Sequence, residues 1–202
     1  MRIIVGCESS RRVASAFEAL GHEAWSCDLK PAEQTGNHIQ GNVLDHLNDG
    51  WDMGIFHPVC TTLTNSGVRW LVVDGVIVPE RYAQMAKDAE FFNKLLNAPI
   101  PKVAVENPLH HKYARALIRK YDHMIQPYWF GEGETKATCL WLVNLPPLMA
   151  TLVHPGRAHS IHLEPPGPNR QANRSRTFRG LAEAMAWQWG NTEATLCKGK
   201  TE

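Results

Sequence analysis

Three stretches of this sequence carry side chains that could make or break bonds, and each follows an apolar run. Cys60 comes after Trp51 to Phe56, behind His57-Pro58-Val59, and opens the polar stretch Thr61 to Gly67. A thiol at such a place, exposed and beside a cation, has a lowered pKa and is nucleophilic. A lone cysteine is otherwise a small buried apolar group. Glu106-Asn107-Pro108 follows Lys102 to Val105 and sets a carboxyl beside an amide, a pair suited to a nucleobase edge. The same triplet also reads as a helix N-cap with a proline turn. The third stretch is Gly6-Cys7-Glu8-Ser9-Ser10. Gly6 permits close approach of a ligand there, and a following helix offers backbone N–H groups. Asp28 stands about 20 residues further on, where alternating strand–helix folds place an acid for ribose hydroxyls. With one glycine the turn fails the G-x-G-x-x-G fingerprint, and an ordinary strand-to-helix turn is the alternative.

From Gly156 to Gly180 five arginines (Arg157, Arg170, Arg174, Arg176 and Arg179) meet a single acid, Glu164. This is a local anion-binding signal or a solvated loop. His154, His159 and His162 have no carboxylate or cysteine set beside them, so the expectation is loop histidines and no metal. The five cysteines (Cys7, Cys27, Cys60, Cys139 and Cys197) are odd in number, widely spaced and without C-x-x-C. That argues for reduced thiols in a cytoplasmic protein rather than a disulfide framework or zinc site. A zinc nucleobase deaminase needs H-x-E and P-C-x-x-C, and neither occurs.

The elements that must position these residues alternate. Arg2 to Cys7 reads as a buried strand, and Val13, Ala16, Phe17 and Leu20 as the stripe of a helix ended by Gly21. Glu23 to Asp28 is a second strand, so a parallel sheet is expected. His38 to Leu44 reads as a third strand and turn, Trp51 to Phe56 as a fourth and Lys102 to Val105 as a fifth. The spacing predicts helices over Glu80 to Leu96, His111 to Tyr121 and Leu181 to Trp189, with strands at Met124 to Pro127 and Thr138 to Leu142. Six of the 13 prolines lie between Leu145 and Pro168, an ordered loop or linker. At 202 residues the chain supports one full core. The expectation is one domain over 1–190 with a flexible tail at 191–202. Lys+Arg is 21 against Asp+Glu 20, a balance that argues against an overall basic nucleic-acid wrapper or a membrane-surface protein. No apolar run approaches the roughly 20 residues of a membrane span, and the N-terminus lacks the marks of a signal peptide.

In order, the turn, the cysteine loop, the Glu-Asn pair and Arg174-x-Arg176 resemble the DNA (cytosine-5) methyltransferases. The segments CESSRRVASAFEALGHEAWSCDL, HPVCTTLTNSGVRWL, KVAVENP, ETKATCLWLVNLPPL and NRSRTFRGLAEAMAWQWG look like the short phage-borne members, and together they cover most of the chain. The resemblance implies an α/β Rossmann-like sheet with helices on both faces that binds S-adenosyl-L-methionine. It implies methyl transfer to cytosine C5 in DNA, duplex or single-stranded, with a duplex base flipped out of the stack. Cys60 would add to C6 and make C5 enamine-like. Glu106 would hold or protonate N3 and N4, Asn107 would fix that carboxyl or the base, and Arg176 would grip the base. Arg174, Arg170 and Asn65 would contact nucleic acid, Arg174 through a phosphate. Gly6, Cys7, Glu8, Ser9 and Ser10 match the cofactor turn, Asp28 the ribose acid, and Asn42 the position beside adenine.

The chain departs from the family at Pro58-Val59-Cys60, which replaces Pro-Pro-Cys. It departs again at Ser9-Ser10 in place of glycines, and at Asn42 in place of aspartate. It also has no target-recognition region, since only Thr177 to Gly180 separates the arginines from the last helix. These departures keep open a free pyrimidine nucleotide as substrate, a separate recognition partner, and a non-catalytic binding module.

Overall fold

The computed structural model describes residues 1–167 and 170–191. Cys197 and the expected tail from residue 192 lie outside the described residues.

Seven strands form one sheet. They are β1 (Arg2–Gly6), β2 (Glu23–Asp28), β3 (His38–Gln40), β4 (Met53–Phe56), β5 (Lys102–Pro108), β6 (His123–Ile125) and β7 (Thr138–Val143). Their spatial order is β3-β2-β1-β4-β5-β7-β6. The first five are parallel, while β7 runs antiparallel to both β5 and β6. This is the α/β, Rossmann-like sheet expected. The strands are short and nearly all apolar, as buried parallel strands must be. The chain winds outward from β1 through β2 to β3, then restarts at β4 on the other side of β1. The sheet therefore has its switch point between β1 and β4, where His57 N–H donates to the Gly6 carbonyl at 3.0 Å. Ligands of open α/β sheets bind outside the carboxyl ends at such a point.

Two cores sandwich the sheet. On one face, α1 (Arg12–Glu18) packs on α6 (Arg179–Gly190), with Phe17, Met185 and Trp189 fully buried. On the other, α3 (Pro79–Leu96) buries Met85, Ala89, Phe92 and Leu96 among Trp51, Phe56 and Trp141. The expected helices at 80–96 and 181–189 are thus present. Leu20, expected on the buried stripe of α1, is 41% exposed because the helix stops before it.

Two expectations fail locally. The stretch His111 to Tyr121 forms only a 3₁₀ turn over Ala114–Ala116. Side chains take the groups a longer helix would pair: His111 Nδ1 accepts from Ala114 N–H, Asn93 donates to the Leu117 carbonyl, and Trp141 Nε1 donates to the Arg119 carbonyl. The polar stretch Thr61 to Gly67 is not all loop, since α2 (Asn65–Leu71) begins inside it. After α2 comes a hairpin of Val72–Val73 and Val76–Ile77, set apart from the sheet. The proline-rich stretch holds two short helices, α4 (Ser160–Leu163) and α5 (Arg170–Ser175). Among the described residues no helix is long and apolar enough to cross a membrane, and no His, Cys, Asp and Glu cluster could hold a metal ion.

Candidate active site

Cys60, Glu106 and Asn107 meet at the carboxyl ends of β4 and β5. Asn107 is buried, and its Nδ2 donates to the Pro58 carbonyl at 2.9 Å. This clamp lies two residues before the thiol. It braces a loop in which Val59 is 57% exposed and packs little. His111 extends the stitching, its N–H donating to the Leu63 carbonyl at 3.0 Å and its Nε2 lying 2.8 Å from the Thr62 carbonyl. The loop is held from β5, so a second proline is not what fixes it.

Glu106 is buried and lies 2.9 Å, Oε2 to Nδ1, from His57. Burial alone would raise a carboxyl, but the hydrogen bond from His57 and the nearby charges of Lys136 and His57 win, leaving Glu106 below its ordinary 4.5. Burial likewise depresses His57, and the Glu106 bond and charge overcome it, so its pKa rises above 6.5. Each partner thus favours the charged form of the other across one hydrogen bond. The other ring nitrogen of His57, Nε2, is buried without a hydrogen-bond partner.

Cys60 is half-buried. Its thiol is raised above the usual 9.0, first by burial and then by the Glu106 charge; Lys136 and Arg174 pull it down but do not prevail. Lys136 is a cation that sequence reasoning missed. Its Nζ donates to the Arg174 carbonyl at 3.0 Å, and its charge reaches His57, Cys60 and Glu106. Only its place in ETKATCLWL signalled it. His57 was also missed, although it lies three residues before the thiol.

The arginines separate. Arg174 sits in the last turn of α5, not in an extended segment, and its charge reaches Cys60. Arg176 lies beyond the helix, with its guanidinium 2.9 Å from Glu33 and bonded to Asn173 Oδ1 at 2.9 Å. The charge of Arg174 thus bears on the thiol, while Arg176 ties α5 to the β2–β3 loop. Arg170 donates to the Glu164 carbonyl at 2.7 Å. Arg157 lies over the Tyr128 ring, 3.5 Å from its centroid. Asn65 is exposed in the first turn of α2.

On the β1–β2 side the polar groups serve the backbone. Glu8 is buried. Its carboxylate accepts from Val13 N–H at 2.7 Å, Ala14 N–H at 3.3 Å and Ser10 Oγ at 3.3 Å. The N–H groups that α1 was expected to offer a ligand are therefore occupied from within. A Cβ at Gly6 would stand 2.6 Å from both Phe56 and Val43, so the glycine admits those side chains. Cys7 holds a left-handed φ of 59°, and burial together with Asp28 pushes its thiol up to about 12. The Ser9 carbonyl accepts from Glu33 N–H at 2.8 Å. Arg11 is fully buried, paired with Glu18 at 2.6 Å and bonded to the Thr35 and Asn37 carbonyls. Asp28 Oδ1 accepts from Lys30 N–H at 2.9 Å, and Asn42 Oδ1 caps a turn at Leu44 N–H, 3.1 Å away. Asp28 is half-buried and Asn42 exposed.

No protein-family model matches the chain, and no characterised protein matches it in sequence. Among the solved structures similar to this chain are the following two. One is a candidate DNA modification methyltransferase encoded within a prophage of E. coli, 13% identical, with a TM-score of 0.45, covering 77% of this chain and 52% of that one. The other is the Entamoeba histolytica methyltransferase EhMeth, 13% identical, with a TM-score of 0.44, covering 84% and 61%. The chain spans between half and two thirds of the length of both.

Proposed function

We propose that this protein transfers a methyl group from S-adenosyl-L-methionine to C5 of cytosine in DNA, through a covalent bond from Cys60 to C6. The observation that carries the reading is the buried Glu106–His57 pair beside Cys60 at the sheet's switch point, with Asn107 clamping the cysteine loop. Perturbed titratable groups gathered at a strand edge are the mark of acid–base work.

Asp28 would supply acceptors for the ribose hydroxyls of the methyl donor and Asn42 an amide nitrogen for its adenine. When bound, the donor supplies an electrophilic methyl group. The chain's own residues do the rest. As the Cys60 thiol gives its proton to solvent and Sγ bonds to C6, the C5=C6 π electrons shift toward N3, which takes through Glu106 the proton held in the His57–Glu106 bond. His57 Nδ1, 2.9 Å from Oε2, is placed to pass that proton to Glu106. Lys136 and Arg174 favour the thiolate that must form, and a base that displaces water from around Glu106 completes its activation. Loss of the C5 proton then lets the C6–S bond break and frees the thiol.

The test is labelled methyl transfer to duplex, single-stranded DNA and deoxycytidine nucleotides, by wild type and Cys60→Ser. Transfer to DNA by wild type alone supports the reading. Transfer only to the free nucleotide moves the substrate, and no transfer while the donor binds sinks catalysis.

A further inference from the structure

We propose that the segment after Glu106-Asn107 forms a second contact for a nucleic-acid strand, gripping its phosphates in a basic pocket beside the thiol site. The proposal rests on the DNA reading above for the identity of the strand. From Pro108 to Tyr121 the sequence holds Lys112, Arg115, Arg119 and Lys120 and no acid, leaving 17 cations against 20 acids elsewhere. Those four cations line a pocket of about 490 Å³ with His110 and Tyr121. This stretch is not a regular helix, and Trp141 of β7 closes one side of the pocket.

The cations are not interchangeable. Arg119 is committed to the fold, paired with Asp122 at 2.7 Å and bonded to the Leu142 carbonyl at 3.1 Å. Lys112 and Arg115 are exposed, with Lys112 lying over the Tyr113 ring. Lys120 lies over Tyr121 in the same way, 6.0 Å from its centroid. Mobile cations over aromatic faces suit a strand, whose phosphates they meet and whose bases can stack.

The floor of the pocket connects to the thiol loop. His110 is buried, stacked on Trp141, and its Nε2 lies 3.1 Å from Asn107 Oδ1. Asn107 uses its Nδ2 on Pro58, so Oδ1 is the acceptor and His110 Nε2 carries the proton. The lone pair of Nδ1 is then left buried without a partner. A strand in the pocket would sit one side chain from Asn107 and two from the cysteine loop.

The test measures binding without methyl donor, by fluorescence anisotropy of a cytosine-containing oligonucleotide, single-stranded and duplex, over 50–200 mM salt. Lys112→Ala/Arg115→Ala should weaken binding about tenfold at low salt and flatten the salt slope by about two. The charge-keeping Lys112→Arg/Arg115→Lys should bind as wild type does. Unchanged affinity and slope in the alanine variant overturns the pocket, as does equal loss in the charge-keeping variant. So does deoxycytidine monophosphate competing as well as the oligonucleotide does. Methyl transfer is scored separately. Loss of the pocket with transfer intact removes only this inference, and a salt-slope effect without transfer removes only the methyltransferase reading.

Discussion

The two sides of the switch point contain similar polar residues put to opposite uses. At the ends of β4 and β5, Glu106 and His57 satisfy each other and leave a thiol and an imidazole nitrogen unengaged. At the ends of β1 and β2, Glu8 is buried but spends its charge on N–H groups of α1, and the buried Arg11 is held by Glu18 and two loop carbonyls. A buried charge must be paired or hydrogen-bonded, and what it pairs with decides whether it is fold or chemistry. Side chains paired with side chains can exchange a proton, whereas a carboxylate capping a helix cannot leave it without unfolding that turn.

Substitutions on either side break or sharpen this contrast. Cys60→Ser should abolish methyl transfer outright while leaving stability in urea melts within about 0.5 kcal/mol of wild type, since the hydroxyl replaces a half-buried thiol with only a small loss of volume. Glu106→Gln keeps the shape but removes the acid, and single-turnover rates should fall by about 10²–10³, the loss expected for one transition-state donor. Glu8→Gln should do the reverse, lowering stability by about 1–3 kcal/mol in urea melts through weakened capping of α1. If Glu8→Gln instead lost transfer at full stability, the division between the two sides would collapse.

Acid provides a subtler probe. His110 titrates at about 4, against 6.5 when solvated, chiefly because of burial. The folded state therefore gains from its neutral ring above pH 6.5, and that gain is lost as pH falls from 6.5 to 4, by up to about 3 kcal/mol. The Glu106–His57 pair acts oppositely at the upper end. His57, raised above 6.5, contributes below that pH and stops contributing as pH rises through its folded value; Glu106, held below 4.5, contributes above 4.5. Urea midpoints across pH 4–8 for His110→Phe should lose the acid-side drop and keep the alkaline one. The smallest effect belongs to Asn42→Ala. It removes an exposed turn cap and should cost about 1 kcal/mol or less, with weaker donor binding in calorimetry as the sign that its amide faces adenine.

The alternation of apolar runs made the sheet legible, and strand ends located Cys60, Glu106, Asn107 and Asp28 at one edge. Three things were hidden. The use of Glu8 as a cap depends on Arg11 taking a left-handed backbone, which no local pattern announces. The His57–Glu106 bond joins residues 49 apart, brought together by β4 lying beside β5. Lys136 arrives from the other direction, because β7 is antiparallel and brings its own start to the carboxyl edge. The missing helix at 111–121 went the other way. Its apolar spacing was adequate, but His111, Asn93 and Trp141 claim its backbone groups.

The central claim is that Cys60 adds to cytosine C6, and one measurement reaches it directly. In an oligonucleotide carrying 5-fluorocytosine, the C5 fluorine cannot leave as a proton does, so the adduct formed after methylation is trapped. Intact mass and peptide mapping after incubation with S-adenosyl-L-methionine should show one protein–oligonucleotide bond at Cys60, absent in Cys60→Ser. Methyl transfer to cytosine with no such bond, or a bond at Cys7 instead, would contradict the account.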